Sequence, residues 1–180
     1  MAMQCSSSDA TQTASSCEGD GAVIYLSLGS NLQNRELLLQ QAIFQLQAAG
    51  LQIIAIAPFF ETEPWGFSSC NKFINTAVCG RTRLSPVQFL QVALDIEKKL
   101  GRKTKSSPTS GYADRPIDID LLLYNECILQ TNELTLPHPC MHQRLFVLEP
   151  LSHIAPDMQH PILHQTIQTL HNNLLAPKDL

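Results

Sequence analysis

The 180-residue chain lacks any run of about 18–20 apolar residues, the length that a membrane-spanning helix requires. It also has few basic residues, 12 Lys and Arg against 16 Asp and Glu, so its surface as a whole does not suit a nucleic-acid backbone. We therefore expect neither a membrane nor a nucleic acid as partner.

Several short motifs are absent as well. The six cysteines contain no C-x-x-C, and the chain has neither a G-x-x-x-x-G-K-[ST] phosphate loop nor a G-x-G-x-x-G fingerprint. Dispersed cysteines in a chain that is large enough to fold without disulfides predict reduced thiols and a cytoplasmic protein. A nucleotide, if one binds, must be held in another way.

The first 21 residues lack the basic and apolar residues of a secretory signal or a transit peptide. They also lack the apolar residues that a packed core needs, so we predict a disordered tail at 1–21. The remainder, 22–180, has the length and the apolar content of one domain.

Hydrophobic periodicity predicts a strand followed by a helix after the tail. A-V-I-Y-L-S-L-G at 22–29 is typical of a buried strand. Apolar residues at helical spacing then form one stripe, which Gly50 can close: Leu39, Ala42, Ile43, Leu46 and Ala49.

Two extended segments come next, at 51–62 and 72–83. Ser85 and Pro86 are typical of a helix start, since the hydroxyl caps the first turn and proline needs no N–H there. A strand at 115–125 completes the order βαββαβ.

This order predicts an α+β fold, a ferredoxin-like sandwich built on one antiparallel sheet. A short extended piece at 126–130 and two amphipathic stretches near 142–151 and 160–174 follow. We expect them to add a C-terminal hairpin and helices around the core.

Asp118 and Asp120 are the sharpest chemical feature. Period-two alternation puts both carboxylates on one strand face, about 6.5–7 Å apart at the backbone. Mg²⁺ prefers oxygen ligands and is commonly held by one or two carboxylates together with substrate phosphates. The alternative is an acidic strand face that only meets water.

Basic residues crowd the segment just before this strand. Such residues beside a metal-binding carboxylate pair would form a phosphate clamp: Lys98, Lys99, Arg102, Lys103, Lys105 and Arg115. The alternative is a helix end whose macrodipole favours cations, which suffices for Lys98 and Lys99 but does not reach Arg115.

Aromatic and amide residues lie between the second and third predicted strands. Trp65, Phe67, Phe73 and Asn75 can line a pocket for a flat ring, which needs stacking faces and a few placed hydrogen-bonding groups. The alternative is that they are ordinary core residues.

Seven motifs in order resemble one family: L-S-L-G-S-N-L at 26–32, E-T-E-P-W-G at 61–66, F-I-N-T-A-V at 73–78, I-E-K-K-L-G-R at 96–102, R-P-I-D-I-D-L-L-L-Y at 115–124, L-P-H-P at 136–139 and R-L-F-V-L-E-P-L at 144–151. The family is 6-hydroxymethyl-7,8-dihydropterin pyrophosphokinase, of folate biosynthesis. The resemblance implies transfer of the pyrophosphoryl group of ATP to the hydroxymethyl oxygen of the dihydropterin, with release of AMP.

The resemblance also implies site residues by matching motif. Asp118 and Asp120 correspond to ligands of two Mg²⁺ ions, and Arg102 and Arg115 to phosphate-binding, catalytic arginines. The further ATP contacts implied are Glu97, Lys103, Lys105, His138 and Arg144. The pterin contacts implied are Thr62, Pro64, Phe73, Asn75, Tyr112 and Phe146. No protein partner is indicated, and a monomer is expected.

The chain departs from the family pattern just before Arg115. Members commonly have an aromatic residue, glycine and proline there, whereas this chain has Tyr112, Ala113 and Asp114. Tyr112 keeps the aromatic ring, and Asp114 is expected to add a negative charge next to the phosphates.

Two other functions stay open at this point. A ferredoxin-like RNA-binding module would display aromatic residues on its sheet and bases over that face. An inactive or regulatory relative would keep the fold and the pterin pocket without turnover.

Overall fold

An antiparallel sheet with the strand order β2 (Gln52–Ile56), β4 (Phe73–Thr82), β1 (Ala22–Ser30) and β5 (Asp118–Tyr124) forms the centre of the molecule, and β3 (Phe60–Thr62) pairs with β4 beside β2. The computed structural model describes residues 21–103 and 113–176. Its elements run in the order β1 (Ala22–Ser30), α1 (Arg35–Ala48), β2 (Gln52–Ile56), β3 (Phe60–Thr62), β4 (Phe73–Thr82), α2 (Pro86–Lys99), β5 (Asp118–Tyr124), β6 (Leu129–Gln130), β7 (Thr135–Leu136), a 3-10 turn (Met141–Gln143), α3 (Leu145–Ile154) and α4 (Ile167–Leu175). The predicted α+β class with an antiparallel sheet is confirmed.

The predicted tail falls outside the described residues, apart from Gly21. None of the helices in the described part of the chain has the length and apolar character to cross a membrane. Four cysteines of this part are free thiols: Cys70, Cys79, Cys127 and Cys140.

The end of α1 and the start of α2 lie where the sequence predicts. Ser85 and Gln88 form a reciprocal capping box at the start of α2, with Pro86 in the first turn. Gly50 and Gly101, with φ of 97° and 96°, follow α1 and α2 in the left-handed conformation that glycine adopts at little cost.

The segment 51–62 differs from the single extended stretch that its pattern predicts. It forms two strands, β2 and β3, which pair with different parts of β4. Pro58 lies between them, and because proline has no N–H it cannot donate to a strand ladder. The C-terminal stretch 160–174 also differs, since α4 begins only at Ile167.

The two faces of the sheet are covered unequally. Helices α1 and α2 cover one face along its length through a continuous aliphatic core, which includes Leu26, Leu28, Leu39, Phe89 and Ile119. On the other face α3 and α4 pack against Ala77, Leu122 and Leu123. The end of that face carrying Ser27, Gly29 and Asp118 lines a cavity instead.

Candidate active site

Residues of four strands form a row across this end of the sheet. Gly29 of β1 pairs with Asn75 on one side and with Asp118 on the other, and Phe60 of β3 pairs with Asn75. In the next row of the same face, Ser27 pairs with Asp120. Alternation along each strand therefore brings an amide and two carboxylates to one face, with a glycine between them.

The cavity above these rows has a volume of about 240 Å³ and is lined by most of the predicted site residues. They are Thr62, Phe73, Asn75, Arg102, Arg115, Asp118, Asp120, His138, Arg144 and Phe146. The two groups of residues that the sequence assigned to a phosphate chain and to a flat ring thus share one cavity.

The remaining predicted residues lie elsewhere. Pro64 is in the loop between β3 and β4 but is not part of the lining, and Lys103 is exposed. Glu97 is behind the lining, in contact with Arg102. Lys105 and Tyr112 lie outside the described residues.

One side of the cavity, here called the charged wall, consists of Arg102, Arg115, Asp118 and Asp120, with Glu97 behind them. The Asp118 carboxylate lies between two guanidinium groups: its Oδ1 pairs with Arg102 Nη1, and its Oδ2 lies 2.7 Å from Arg115 Nη2. Arg102 is only 6% exposed, so its positive charge needs a negative partner such as the Asp118 carboxylate.

Glu97 is the second partner of Arg102. Its carboxylate is 2% exposed and its Oε1 accepts hydrogen bonds from Arg102 Nη1 at 2.8 Å and from the Ile119 N–H at 2.7 Å. Burial by itself would lower the pKa of Arg102, but the negative charges of Asp118 and Glu97 outweigh burial and raise it. Glu97 therefore ties the end of α2 to β5 and orients the arginine.

Arg144 lies between the charged wall and the aromatic residues on the opposite side of the cavity. Its Nη1 is 3.9 Å from Asp120 Oδ2, and its guanidinium is centred 4.9 Å from the Trp65 ring and 5.7 Å from the Phe146 ring. An arginine stacked on aromatic rings keeps its charge while its apolar surface is covered. The side chain of His138 accepts a hydrogen bond from the Cys140 N–H at 3.3 Å.

The opposite side, here called the ring wall, consists of Thr62, Trp65, Phe67, Phe73 and Asn75. Asn75 is 3% exposed and its Nδ2 donates to Thr62 Oγ1 at 2.8 Å. Phe67 and Phe73 meet edge to face, with centroids 6.3 Å apart. A fixed amide beside aromatic faces is the arrangement that a planar heterocycle needs.

The aromatic residues do not form an open sheet face. Phe73 is 6% exposed and lies within the cavity, and the Arg115 guanidinium is 5.0 Å from its ring centroid. Helices pack against much of both faces of the sheet. The RNA-binding alternative, which predicts exposed aromatics on an open sheet, is therefore wrong for the described structure.

The donors of the charged wall fit a magnesium ion that also binds phosphate. Asp118 and Asp120 offer only oxygen, which Mg²⁺ prefers. Within residues 21–103 and 113–176, no group of three or more His, Cys, Asp or Glu side chains could hold a metal ion. The two carboxylates would accordingly bind Mg²⁺ together with waters and substrate phosphate oxygens.

Asp114 is not where its position next to Arg115 predicts. It is not among the residues that line the cavity, and its carboxylate accepts hydrogen bonds from the side-chain amides of Asn31 and Asn71, each at 2.7 Å. A hydrogen bond with Ser69, followed by those with Asn71 and Asn31, lowers the pKa of Asp114. Its charge interacts with Arg115, and the expectation that it adds negative charge next to the phosphates stays a prediction.

Several lining residues have no role that the sequence predicts: Ser27, Gly29, Glu63, Pro139 and Cys140. A signal was available for Ser27 and Gly29. They are small residues alternating with Leu26 and Leu28 in β1, so they share a face that carries little apolar bulk. Pro139 and Cys140 have no comparable periodic signal.

The chain is similar to known proteins of one family. Residues 25–156 match the family model described as 7,8-dihydro-6-hydroxymethylpterin-pyrophosphokinase (HPPK). A Porphyromonas gingivalis protein named 2-amino-4-hydroxy-6-hydroxymethyldihydropteridine pyrophosphokinase is 48% identical over 141 residues, covering 78% of this chain and 95% of that protein. A Bacillus subtilis protein of the same name is 36% identical, covering 76% of this chain and 80% of that protein.

The fold is shared with more distant solved structures. Plasmodium falciparum HPPK-DHPS superposes with a TM-score of 0.67 at 18% identity, covering 88% of this chain but only 45% of that one. This chain thus spans less than half of that longer protein, and the likeness concerns the fold alone. The family match over residues 25–156 and the identity to the two curated relatives show that the chain belongs to the HPPK family.

Proposed function

We propose that this protein transfers the pyrophosphoryl group of ATP to the hydroxymethyl oxygen of 6-hydroxymethyl-7,8-dihydropterin, with release of AMP. The observation that carries the proposal is the single cavity in which a charged wall faces a ring wall. A reaction between a triphosphate and a flat heterocycle needs both kinds of surface within the reach of one substrate pair.

Arg102, Arg115 and Arg144 bind the phosphate oxygens of ATP in this proposal. Phosphoryl-type transfer requires little covalent chemistry from the protein, which positions the oxygens and stabilises the developing charge. Glu97 acts through Arg102 because it is behind the lining and holds that guanidinium. His138, Lys103 and Lys105 are the further ATP contacts of the proposal.

In this proposal Asp118 and Asp120 would hold two Mg²⁺ ions. When bound, Mg²⁺ would neutralise charge on the phosphate oxygens and favour loss of the hydroxymethyl proton. An oxygen of Asp118 or Asp120 accepts the proton that the hydroxymethyl group loses. Both Asp118 oxygens are paired with arginines in the described structure, so those arginines would exchange a carboxylate for phosphate as the substrates bind.

The pterin occupies the ring wall. Asn75 presents its amide to the ring edge while Thr62 fixes the orientation of that amide. Phe73 and Phe146 provide stacking faces, and Pro64 and Tyr112 complete the proposed contacts. The bond-forming oxygen would then lie between the two walls, above Gly29.

A monomer in the cytoplasm suffices for this reaction. The free thiols support a reducing compartment.

The direct test is AMP formation from ATP and Mg²⁺, measured with and without the dihydropterin. We expect AMP and the dihydropterin diphosphate in equal amounts, only when both substrates are present, and no product after chelation of Mg²⁺. Release of ADP in place of AMP, or AMP release independent of the pterin, would refute the proposed reaction. Pterin binding without turnover in the complete mixture would favour the inactive relative.

A further inference from the structure

The Asp114 carboxylate joins three chain segments that are far apart in sequence. Its Oδ1 accepts a hydrogen bond from Asn31 Nδ2, just after β1, and its Oδ2 accepts one from Asn71 Nδ2, just before β4. Ser69 is a further partner in the loop 63–72. An ionised carboxylate accepts hydrogen bonds only, and bonds to a charged acceptor are stronger than neutral ones.

Asn31 relays this contact to the backbone of Arg115. The Asn31 side chain is buried, and its Oδ1 accepts from the Arg115 N–H at 2.8 Å. The Asn31 N–H in turn donates to the Arg115 carbonyl at 3.3 Å. Because Oδ1 is used by Arg115, the amide nitrogen must face Asp114, so the orientation of Asn31 is fixed from both sides.

The side chain of Arg115 extends from this backbone contact into the cavity. Its guanidinium pairs with Asp118 and lies over the Phe73 ring, so it touches both the charged wall and the ring wall. A small displacement of its backbone would move the guanidinium relative to both.

The other end of the Asp114 contact fastens the loop 63–72. This loop supplies Glu63, Trp65 and Phe67 to the cavity lining. Two other hydrogen bonds hold the loop near Asn71. Asn31 Nδ2 donates to the Asn71 carbonyl at 3.2 Å, and Arg35 Nη1 donates to the Lys72 carbonyl at 2.8 Å. Asp114 is the ionised acceptor among these contacts, which makes it a stronger acceptor than the two backbone carbonyls.

We propose that Asp114 is a positioning residue for pterin binding: it fastens the loop 63–72 to Asn31 and thereby fixes the ring wall relative to Arg115. The proposal rests on the proposed function, because it assigns the pterin to the ring wall. It explains an acidic residue at a position where the resembling family commonly has proline.

The test compares Asp114→Ala with Asp95→Ala, which removes an exposed carboxylate that accepts one hydrogen bond from Gln91 on α2, away from the cavity. Loss of a charge-assisted hydrogen bond predicts that Asp114→Ala raises the pterin KM about tenfold. The KM for ATP should stay within about twofold and kcat should fall less than the pterin KM rises. Asp95→Ala should change none of these constants.

Asp114→Asn is the conservative variant. Its amide oxygen can still accept from Asn31, and Asn71 is exposed, so its side chain can rotate to pair with the new amide. We expect the pterin KM to rise by about threefold, less than in Asp114→Ala. An unchanged pterin KM in Asp114→Ala, whatever happens to its melting temperature, would overturn the proposal, since a purely structural role lowers stability and leaves KM alone.

Asn71→Ala removes the hydrogen bond between Asn71 and Asp114 from the other side. This variant replaces Asp114→Ala in the test if Asp114→Ala fails to fold. The double variant Asp114→Ala with Asn71→Ala should bind pterin no more weakly than Asp114→Ala by itself. Both changes remove the same hydrogen bond, so the second change has nothing further to break. Fully additive effects would contradict the proposal. A wild-type protein that makes no AMP would refute the proposed function, whereas an active wild type with an unaffected Asp114→Ala refutes only the role of Asp114.

Discussion

The charged wall and the ring wall share one cavity but are built in different ways. On the charged wall, Arg102 is paired with two carboxylates and Asp118 with two arginines. On the ring wall, a single hydrogen bond from Asn75 to Thr62 fixes the amide, and part of the wall belongs to the loop 63–72.

The difference follows from the cost of burying charge. A buried ion without partners is strongly destabilising, so the arginines and carboxylates must be fixed by the fold itself. Aromatic rings have no such requirement, and Trp65 and Phe67 can therefore lie on a loop that is held by a few hydrogen bonds. We expect substitutions on the charged wall to damage both stability and turnover, and those on the ring wall to change pterin affinity.

The largest effect should come from Asp120→Asn, which keeps the shape of the side chain and removes its charge. Because the carboxylate is proposed to hold Mg²⁺ at the phosphates, we expect kcat to fall by about a thousandfold. AMP formation measures the loss, and circular dichroism checks the fold. The control Asp157→Asn changes an exposed carboxylate elsewhere and should keep full activity. Normal AMP release by Asp120→Asn would contradict the metal assignment.

Glu97→Gln separates the stability of the charged wall from its chemistry. The amide keeps an acceptor for the Ile119 N–H but removes one of the two carboxylates paired with the buried Arg102. We expect the free energy of unfolding to fall by about 3 kcal/mol, as measured by urea denaturation. Glu126→Gln, on an exposed residue, is the matched control. Equal stability of the two variants would show that Asp118 by itself satisfies Arg102.

Gly29→Ala tests the space between the walls. An added Cβ would lie 2.7 Å from Asn75 Oδ1, so the amide must move away from Thr62. We expect about tenfold weaker pterin binding by titration, with binding of a non-hydrolysable ATP analogue unchanged. Gly80→Ala is the counterpart in the core, where the Cβ would meet Leu51 Cδ1 at 2.8 Å. That variant should lose stability and keep its affinities; a reversed pattern would refute the placement of the pterin.

The smallest effect should come from Trp65→Ala. The Trp65 ring covers the Arg144 guanidinium at 4.9 Å but is 40% exposed, and an exposed cation–π contact is worth about 0.5–1 kcal/mol. We expect affinities for both substrates to fall by about threefold, since this contact joins the walls. Trp65→Phe keeps a ring and should retain most of the affinity. A loss confined to one substrate would show that Trp65 serves one wall only.

Local patterns predicted the parts of the fold and site that lie within one element. The capping residues Ser85 and Pro86 marked the start of α2, and alternation in β5 placed Asp118 and Asp120 on the face opposite Ile117 and Ile119. The same patterns could not predict that Pro58 divides 51–62 into two strands, because either half by itself is compatible with an extended chain.

The roles of Glu97, Asp114 and Gly29 depended on the tertiary structure. Glu97 precedes Arg102 by only five residues, yet it is behind the arginine because α2 packs against β5. Asp114 adjoins Arg115, yet its carboxylate turns towards Asn31 and Asn71.

The sequence by itself determined the order of helices and strands, the carboxylate pair of β5 and the family to which the motifs belong. These features depend on periodicity and on residue types, which can be read from neighbouring positions of the chain. Which atoms meet across the cavity was decided by strand register and helix packing, because hydrogen bonds between residues 40 to 84 positions apart exist only once the sheet has formed.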